Sequence, residues 1–327
     1  MSWRRTPLAD RLGLRLPIIQ APMAGGPSTP RLAAAVSSAG GLGSLAGSML
    51  PPDALRDAIR EVRALTDAPF AVNLFAPLPP PSMDRVAEWS ALTGVAASAP
   101  SRIPDVGDQI GVVIAERVPA FSFTFGIPLL DAVRAEGIAA IGTATTVAEA
   151  IALEAAGVDA VVAQGYEAGG HRGTFLAPVE RSLVGTLALV PQVVDAISVP
   201  VIASGGIMDG RGVAAALALG AQAVQLGTAF LTTDEAGTSD AHRKALADDT
   251  TLTRVLTGRY ARAVRTPLVD HLEASGLVPP DYPLPRALSP EPPMLAGQGG
   301  PLARAMPAGA LVDAIAAETD AVLAKLR

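Results

Sequence analysis

Three histidines occur in the 327 residues, and only His171 directly follows a run with the character of a buried strand, Val161-Val162-Ala163-Gln164. An imidazole titrates near neutrality, so one held at the mouth of a scaffold can take or give a proton there. The loop that carries it, Gly165 to Gly173, contains Gly165, Gly169, Gly170 and Gly173. Glycines permit dihedrals closed to other residues and let the backbone approach a ring or substrate closely. A lone histidine more often has a structural role, but a position just past a strand end favours the catalytic one. His242 and His271 fall in a polar segment and read as solvated. Arg172, the next residue, could attract a carboxylate, although an exposed structural arginine is the plainer reading.

Two further strand ends carry glycines. Ala203-Ser204-Gly205-Gly206-Ile207 and Gln225-Leu226-Gly227-Thr228 are separated by one helix. Free backbone N–H groups there, with helix N-termini behind them, suit a phosphate dianion. Tight βα turns are the alternative, and the presence of both loops in this order favours phosphate. Such a phosphate could belong to a sugar, a nucleotide or flavin mononucleotide. Upstream, Gln20-Ala21-Pro22-Met23-Ala24-Gly25-Gly26 is a turn that could lay backbone and a soft thioether against a flat ring, or Met23 could be core filler. Asn73, an amide in the apolar run AVNLF, needs partners if buried, either ring heteroatoms or a neighbouring loop.

Composition excludes several other chemistries. Zero cysteines remove disulfides, thiolate metal sites and thiol nucleophiles. No His/Asp/Glu cluster has metal-ligand spacing, and no Gly-x-Ser-x-Gly elbow is present. With 25 Lys plus Arg against 31 Asp plus Glu the formal charge is −6, the wrong sign for nucleic acid. Charges and Pro17 interrupt the N-terminal apolar residues, and no apolar run is long enough to span a membrane, so the expected location is the cytoplasm.

The elements that must position these residues are legible as short β-branched runs, each followed by an Ala-rich stretch of helical period. Eight runs occur, at 16–20, 41–45, 70–75, 120–125, 138–142, 160–164, 199–204 and 221–226. Eight parallel βα units predict an α/β fold, a (β/α)8 TIM barrel, whose functional groups lie at the C-terminal strand ends. A doubly wound open sheet is the alternative. Helices are expected over 147–156, capped by Thr145 or Thr146, over 209–219, and from Pro51-Pro52-Asp53. Residues 76–118 read as an elaborated loop containing a Trp89 helix. The barrel is expected over 1–230 and 291–327, with 231–290 a smaller, mainly helical insertion at its mouth. A last helix over 308–326 carries Leu311, Ile315, Val322 and Leu326, its stripe interrupted by Glu318 and Thr319.

Taken together, the strand ends resemble the nitronate monooxygenases, formerly 2-nitropropane dioxygenases, and within them the class I subgroup. The resemblance is carried by PIIQAPMAGG at 17–26, FSFTFGIP at 121–128, TATTVAEA at 143–150 and DAVVAQGYEAGGHRGTF at 159–175, followed by ASGGI, AVQLGTAF, TGRYARAVR and LAGQG. It implies a TIM barrel binding FMN non-covalently and oxidising a nitronate with O2 to a carbonyl compound and nitrite. It further implies that Met23, Asn73 and Gln164 contact the flavin ring, with Gly169 and Gly170 beside it. Ser204, Gly205, Gly206, Gln225, Gly227 and Thr228 would surround the phosphate, His171 would face the substrate, and Ala24 and Gln298 would line the pocket. Leu295 and Thr266 depart from the family pattern, where an aromatic and an Asn are more usual. An FMN-dependent NAD(P)H reductase of the enoyl-ACP or quinone type is the nearest alternative. Nitronate and O2 are the expected partners, and a homodimer is compatible with the apolar loops.

Overall fold

A computed structural model of the chain describes residues 2–96 and 104–326. Eight strands form one parallel sheet: β1 (Ile18–Gln20), β2 (Gly43–Ala46), β3 (Phe70–Phe75), β4 (Ala120–Thr124), β5 (Ala139–Ala144), β6 (Ala160–Gln164), then β8 (Val201–Ser204) and β9 (Ala223–Leu226) after the short β7 (Gly170–His171). The sheet closes. β1 pairs with β9 through Ile18 and Val224 on one side and meets β2 through a parallel bridge between Ile19 and Leu42 on the other. The molecule is therefore a (β/α)8 barrel, and the open doubly wound alternative is excluded.

Helices α1 (Pro7–Leu12), α2 (Pro30–Ser38), α3 (Pro52–Leu65), α4 (Val86–Thr93), α5 (Val106–Ala115), α6 (Asp131–Ala135), α7 (Val147–Ala155), α8 (Thr186–Ala196) and α9 (Gly210–Ala218) fill the connections. The caps are local chemistry. Thr146 accepts from Glu149 N at 3.2 Å to start α7, and the Asp209 carboxylate accepts from Arg211 N at 2.9 Å to start α9. Residues 97–103 of the expected 76–118 loop lie outside the described residues.

Strand alternation sorts the core into two layers. Ile19, Ala71, Ala120, Ile141, Val162, Ile202 and Ala223 point inward and pack on Leu8 and Leu12 of α1, which plugs the amino-terminal end. Val72, Phe121, Ala140, Val161, Ala203 and Val224 point outward beneath the helices. Because side chains alternate with period two, each inward apolar residue has an inward neighbour two positions later. Those neighbours are Ala21, Asn73, Ser122, Thr143, Gln164, Ser204 and Gln225, and all seven line one cavity at the carboxyl rim. The barrel is thus oily below and polar at its upper layer, which is where ligands bind in this architecture.

Past β9 the chain forms α10 (Asp240–Lys244), a hairpin of β10 (Thr250–Thr253) and β11 (Ala261–Val264), then α11 (Pro267–Ala274) and α12 (Leu284–Ala287). The hairpin was not apparent from the sequence pattern. Trp89 of α4 packs with Val255, Leu256, Val269, Leu272 and Leu284 in a separate apolar cluster, so the long connection after β3 braces this segment. The closing helix α13 (Ala308–Lys325) returns to the barrel wall against α9 and α2. Its stripe is shorter than the apolar spacing suggests, with Thr319 fully buried and Leu326 exposed. A β-carbon on Gly210 would collide with Glu318 and Thr319, so the helices approach backbone to backbone there. Among the described residues no helix is long and apolar enough to cross a membrane.

Candidate active site

A cavity of about 300 Å³ opens at the carboxyl rim, within the size range of small-molecule sites. At one end are the loops after β8 and β9. Gly205 and Gly206 have φ of +124° and +70°, a backbone region that strains any side chain. The amide hydrogens of Gly205, Gly206 and Gly227 find no acceptor among the described residues. Thr228 Oγ1 accepts from Gly297 N at 2.9 Å, leaving its own proton available. This is a cradle of free donors suited to an anion. The expectation of help from a helix N-terminus is not met. Asp209 caps α9 with its own carboxylate and pairs with Arg211, so those amides are already satisfied.

The turn after β1 supplies a softer wall. Gln20 is fully buried; its Nε2 donates to Ser28 Oγ at 2.8 Å and its Oε1 accepts from Ser44 N at 2.8 Å. Ser28 Oγ in turn accepts from Met23 N at 2.8 Å, so the turn that presents Met23 and Ala24 to the cavity is braced from beneath. Asn73 donates through Nδ2 to Ser122 Oγ at 3.0 Å, and its Oδ1 has no partner among the described residues.

His171 stands at the other end, and its loop is tied on both sides. Gln164 Nε2 donates to the His171 carbonyl at 2.9 Å, while Gln164 Oε1 accepts from Gly173 N at 2.8 Å and Arg172 Nη1 at 3.1 Å. Gln164 lines the cavity, but its amide chiefly secures this loop. Gly170 and His171 form β7 against Arg262 and Ala261 of β11, so the histidine is one rung of a sheet shared with the hairpin. Gly169 and Gly170 line the cavity, and a β-carbon on Gly169 would run into the backbone of Ala296 and Gly297.

Arg172 is 1% exposed, contrary to the exposed role expected for it. Its guanidinium turns inward to donate to the carbonyls of Gly165 and Ser182, each at 2.7 Å. Burial lowers its pKa to about 10, with Glu149 pulling the other way, so it remains charged. Glu149, in the first turn of α7, is also buried. It accepts from Thr145 N and Oγ1, Thr174 Oγ1, Phe175 N and Leu176 N at 2.6–3.1 Å. Burial raises a carboxyl pKa, but these hydrogen bonds outweigh it and the net shift is downward.

Around His171 lies an aromatic box that sequence reasoning missed. The imidazole meets Phe125 and Tyr282 edge-on at centroid distances of 5.6 and 5.4 Å, and Phe75 stacks obliquely on Phe125 at 4.6 Å. Phe75 and Phe125 end predicted strand runs, so strand position could have found them. Nothing local marks Tyr282 in its proline-rich segment. Phe125 has φ +78°, an outlier for an aromatic residue, held at the cavity wall. Arg259 lies 4.1 Å from the Phe125 ring centre, and the Arg286 guanidinium reaches over Gly25. Burial first, then the charges of Arg259 and Arg286, push the His171 pKa down to about 3, so the ring is neutral at ordinary pH. Burial raises the Tyr282 phenol to about 12 against the pull of both arginines, and it stays a donor.

Two expectations need correction. Gln298 does not line the cavity; its side chain is exposed, while the flanking Gly297 and Gly299 face inward and its own N donates to the Glu167 carbonyl at 3.0 Å. His242 is buried rather than solvated: it lines the cavity, with Nε2 at 3.1 Å from the Leu295 carbonyl. His271 is exposed as expected. Of the two departures from the family pattern, Leu295 does line the cavity, whereas Thr266 caps α11. The other predicted positions, Ser204, Gln225, Gly227 and Thr228 among them, converge on the single cavity.

Fold and site together define a (β/α)8 enzyme with an anion cradle at one end of its rim cavity and a neutral histidine in an aromatic box at the other. Residues 6–318 match the nitronate monooxygenase family. The chain is 43% identical over 303 residues to a probable nitronate monooxygenase of Staphylococcus saprophyticus, covering 87% of this chain and 85% of that one. It is 46% identical over 269 residues to a probable nitronate monooxygenase of Bacillus subtilis, covering 78% of each. Among solved structures, a nitroalkane oxidase from Streptomyces ansochromogenes superposes with a TM-score of 0.90 at 40% identity, covering 98% of this chain and 99% of that one. FabK from Thermotoga maritima gives 0.78 at 32%, covering 99% and 98%. The chain belongs to the nitronate monooxygenase family and is an oxidoreductase.

Proposed function

We propose that the rim cavity binds FMN non-covalently and that the enzyme oxidises alkyl nitronates, propionate 3-nitronate being one example, with O2 to a carbonyl compound and nitrite. The residues present fit that cofactor. The unpaired amides of Gly205, Gly206 and Gly227 and the Thr228 hydroxyl would hold its phosphate, with Ser204 and Gln225 beside them. Met23 and Ala24 offer apolar surface to a flat ring, and Asn73 Oδ1 offers an acceptor to its polar edge. When bound, the flavin supplies electron acceptance and reactivity toward dioxygen.

The chain's own residues bind and orient the substrate and handle its proton. Among the described residues, Glu167 is the sole acid lining the cavity, and its carboxylate is occupied by Thr186 N at 2.8 and 2.9 Å and Thr186 Oγ1 at 2.8 Å. Arg286 lines the same cavity and forms no ion pair among the described residues. The field therefore favours an anion such as a nitronate, for which Tyr282 and Arg286 are the donors. The aromatic box limits water around the reacting carbon. For a neutral nitroalkane, uncharged His171 is the base that takes the α-proton, a role worth roughly 10² to 10⁴ in rate. A nitronate arrives already deprotonated and bypasses that step.

The observation that carries this reading is the placement of a neutral His171 in the same cavity as the glycine cradle. The test is the absorption spectrum of the purified protein, followed by nitrite release from a nitronate in air. A yellow protein that releases nitrite supports the reading. A protein that cannot be reconstituted with FMN, or whose flavin bleaches rapidly with NAD(P)H under anaerobic conditions while no nitrite forms, overturns it in favour of a reductase.

A further inference from the structure

The hydrogen bonds around His171 decide which of its ring nitrogens is available. Nε2 lies 3.0 Å from Thr257 Oγ1, and that oxygen lies 3.0 Å from the Arg259 carbonyl. Thr257 is 3% exposed, and its hydroxyl makes no other hydrogen bond among the described residues. A hydroxyl has one proton, and a carbonyl has none. If Thr257 gave its proton to Nε2, two oxygen lone pairs would face each other in a buried site. If Thr257 donates to the carbonyl, Nε2 must carry hydrogen and donate to Oγ1, and every group is satisfied. Nδ1 makes no hydrogen bond among the described residues and is not shut off from the cavity that the ring lines.

We propose that Thr257, backed by the Arg259 carbonyl, is a positioning residue that fixes His171 as the Nε2–H tautomer and so makes Nδ1 the atom presented to substrate. The assignment rests on the reading of His171 as the base for neutral nitroalkanes. It also explains a division of labour: neutral His171 accepts a proton but cannot donate to the nitro oxygens, which leaves donation to Tyr282 and Arg286. Thr257 lies in the turn between β10 and β11, eighty-six residues from its partner, so the segment beyond the barrel sets the protonation geometry of a barrel residue.

The test uses FMN-loaded protein with ¹⁵N-labelled histidine. Two-bond and three-bond ¹H–¹⁵N correlations distinguish the tautomers, and His171→Asn identifies the His171 signals among the three histidines. His242, whose Nε2 faces a carbonyl that can only accept, is an internal standard that should remain Nε2–H throughout. Wild-type protein and Thr257→Ser should show His171 as Nε2–H. Thr257→Val should shift it toward Nδ1–H, because only Nδ1 then has access to a partner. The ratio of kcat/KM for nitroethane to that for its nitronate should fall about tenfold in Thr257→Val, the scale of one hydrogen bond, and recover in Thr257→Ser. A wild-type Nδ1–H tautomer, or an unshifted one in Thr257→Val, overturns the proposal. Normal nitroethane turnover by His171→Asn instead overturns the base assignment, and the tautomer result is read independently of it.

Discussion

The two ends of the cavity are built differently. The anion cradle is made by turns in which neighbouring residues do the work: positive-φ glycines directly after β8 and a glycine directly after β9. The histidine end is assembled from distant pieces, with β7 held to β11, Thr257 beneath the imidazole and Tyr282 beside it. A substitution in the cradle should therefore change ligand retention locally. One at the histidine end should change chemistry, or act through parts of the chain far away in sequence.

The sharpest separation is His171→Asn, which should lower kcat/KM for nitroethane by about 10² to 10⁴ while flavin occupancy, read from the absorption spectrum, stays high. Loss of the flavin in that variant would erase the distinction between the ends. Next in size is Gly205→Ala. At φ +124°, with the new β-carbon 2.6 Å from Thr186 Oγ1, the strain should cost about 1–3 kcal/mol and weaken FMN binding five- to hundredfold by titration. Retained affinity would show that the cradle does not grip the phosphate.

Glu149→Gln should destabilise the loop after His171 by about 1–3 kcal/mol, because its NH2 group would face donors that now meet a carboxylate. Thermal melting and proteolysis near Thr174 would register this. The Glu149 pKa is depressed, so its stabilising contribution is present above the ordinary carboxyl range and is lost as pH falls through the folded value. Arg286→Ala should raise KM for nitronates several-fold, an effect that shrinks with added salt.

The pH dependence near neutrality should be the smallest effect. Because the His171 pKa is depressed to about 3, its contribution to kcat/KM for nitroethane should be flat between about pH 5 and 8 and fall only in strong acid. For stability the sign is set by the unfolded chain, which takes up this proton near 6.5 while the folded state resists until about 3. His171 thus costs stability as pH falls through that interval and none above it. A limb in the rate profile at 6 to 7 that disappears in His171→Asn would contradict a buried neutral imidazole.

Much of the barrel was legible because parallel strands covered on both faces read as short apolar runs, and all eight runs became strands. The cradle was legible for a related reason: Gly205, Gly206 and Gly227 act through their own backbone. Ser122 and Thr143 were missed, although the same two-residue step that marks Asn73 and Gln164 would have revealed them. The burial of Arg172 and Glu149 was not legible for another reason. Charged residues are usually exposed, and only a full set of distant partners made their burial tolerable.

By itself the sequence determined the strand count, the order of the turns and which residues stand at the rim, since these follow from periodicity and from backbone freedom at single positions. Tertiary structure decided that His171 is neutral, which of its nitrogens is free and what surrounds it. Those properties depend on burial, on Arg259 and Arg286, and on a hydroxyl brought by a separate hairpin. Local pattern carries no information about distances across the fold, and proton affinity is set by those distances.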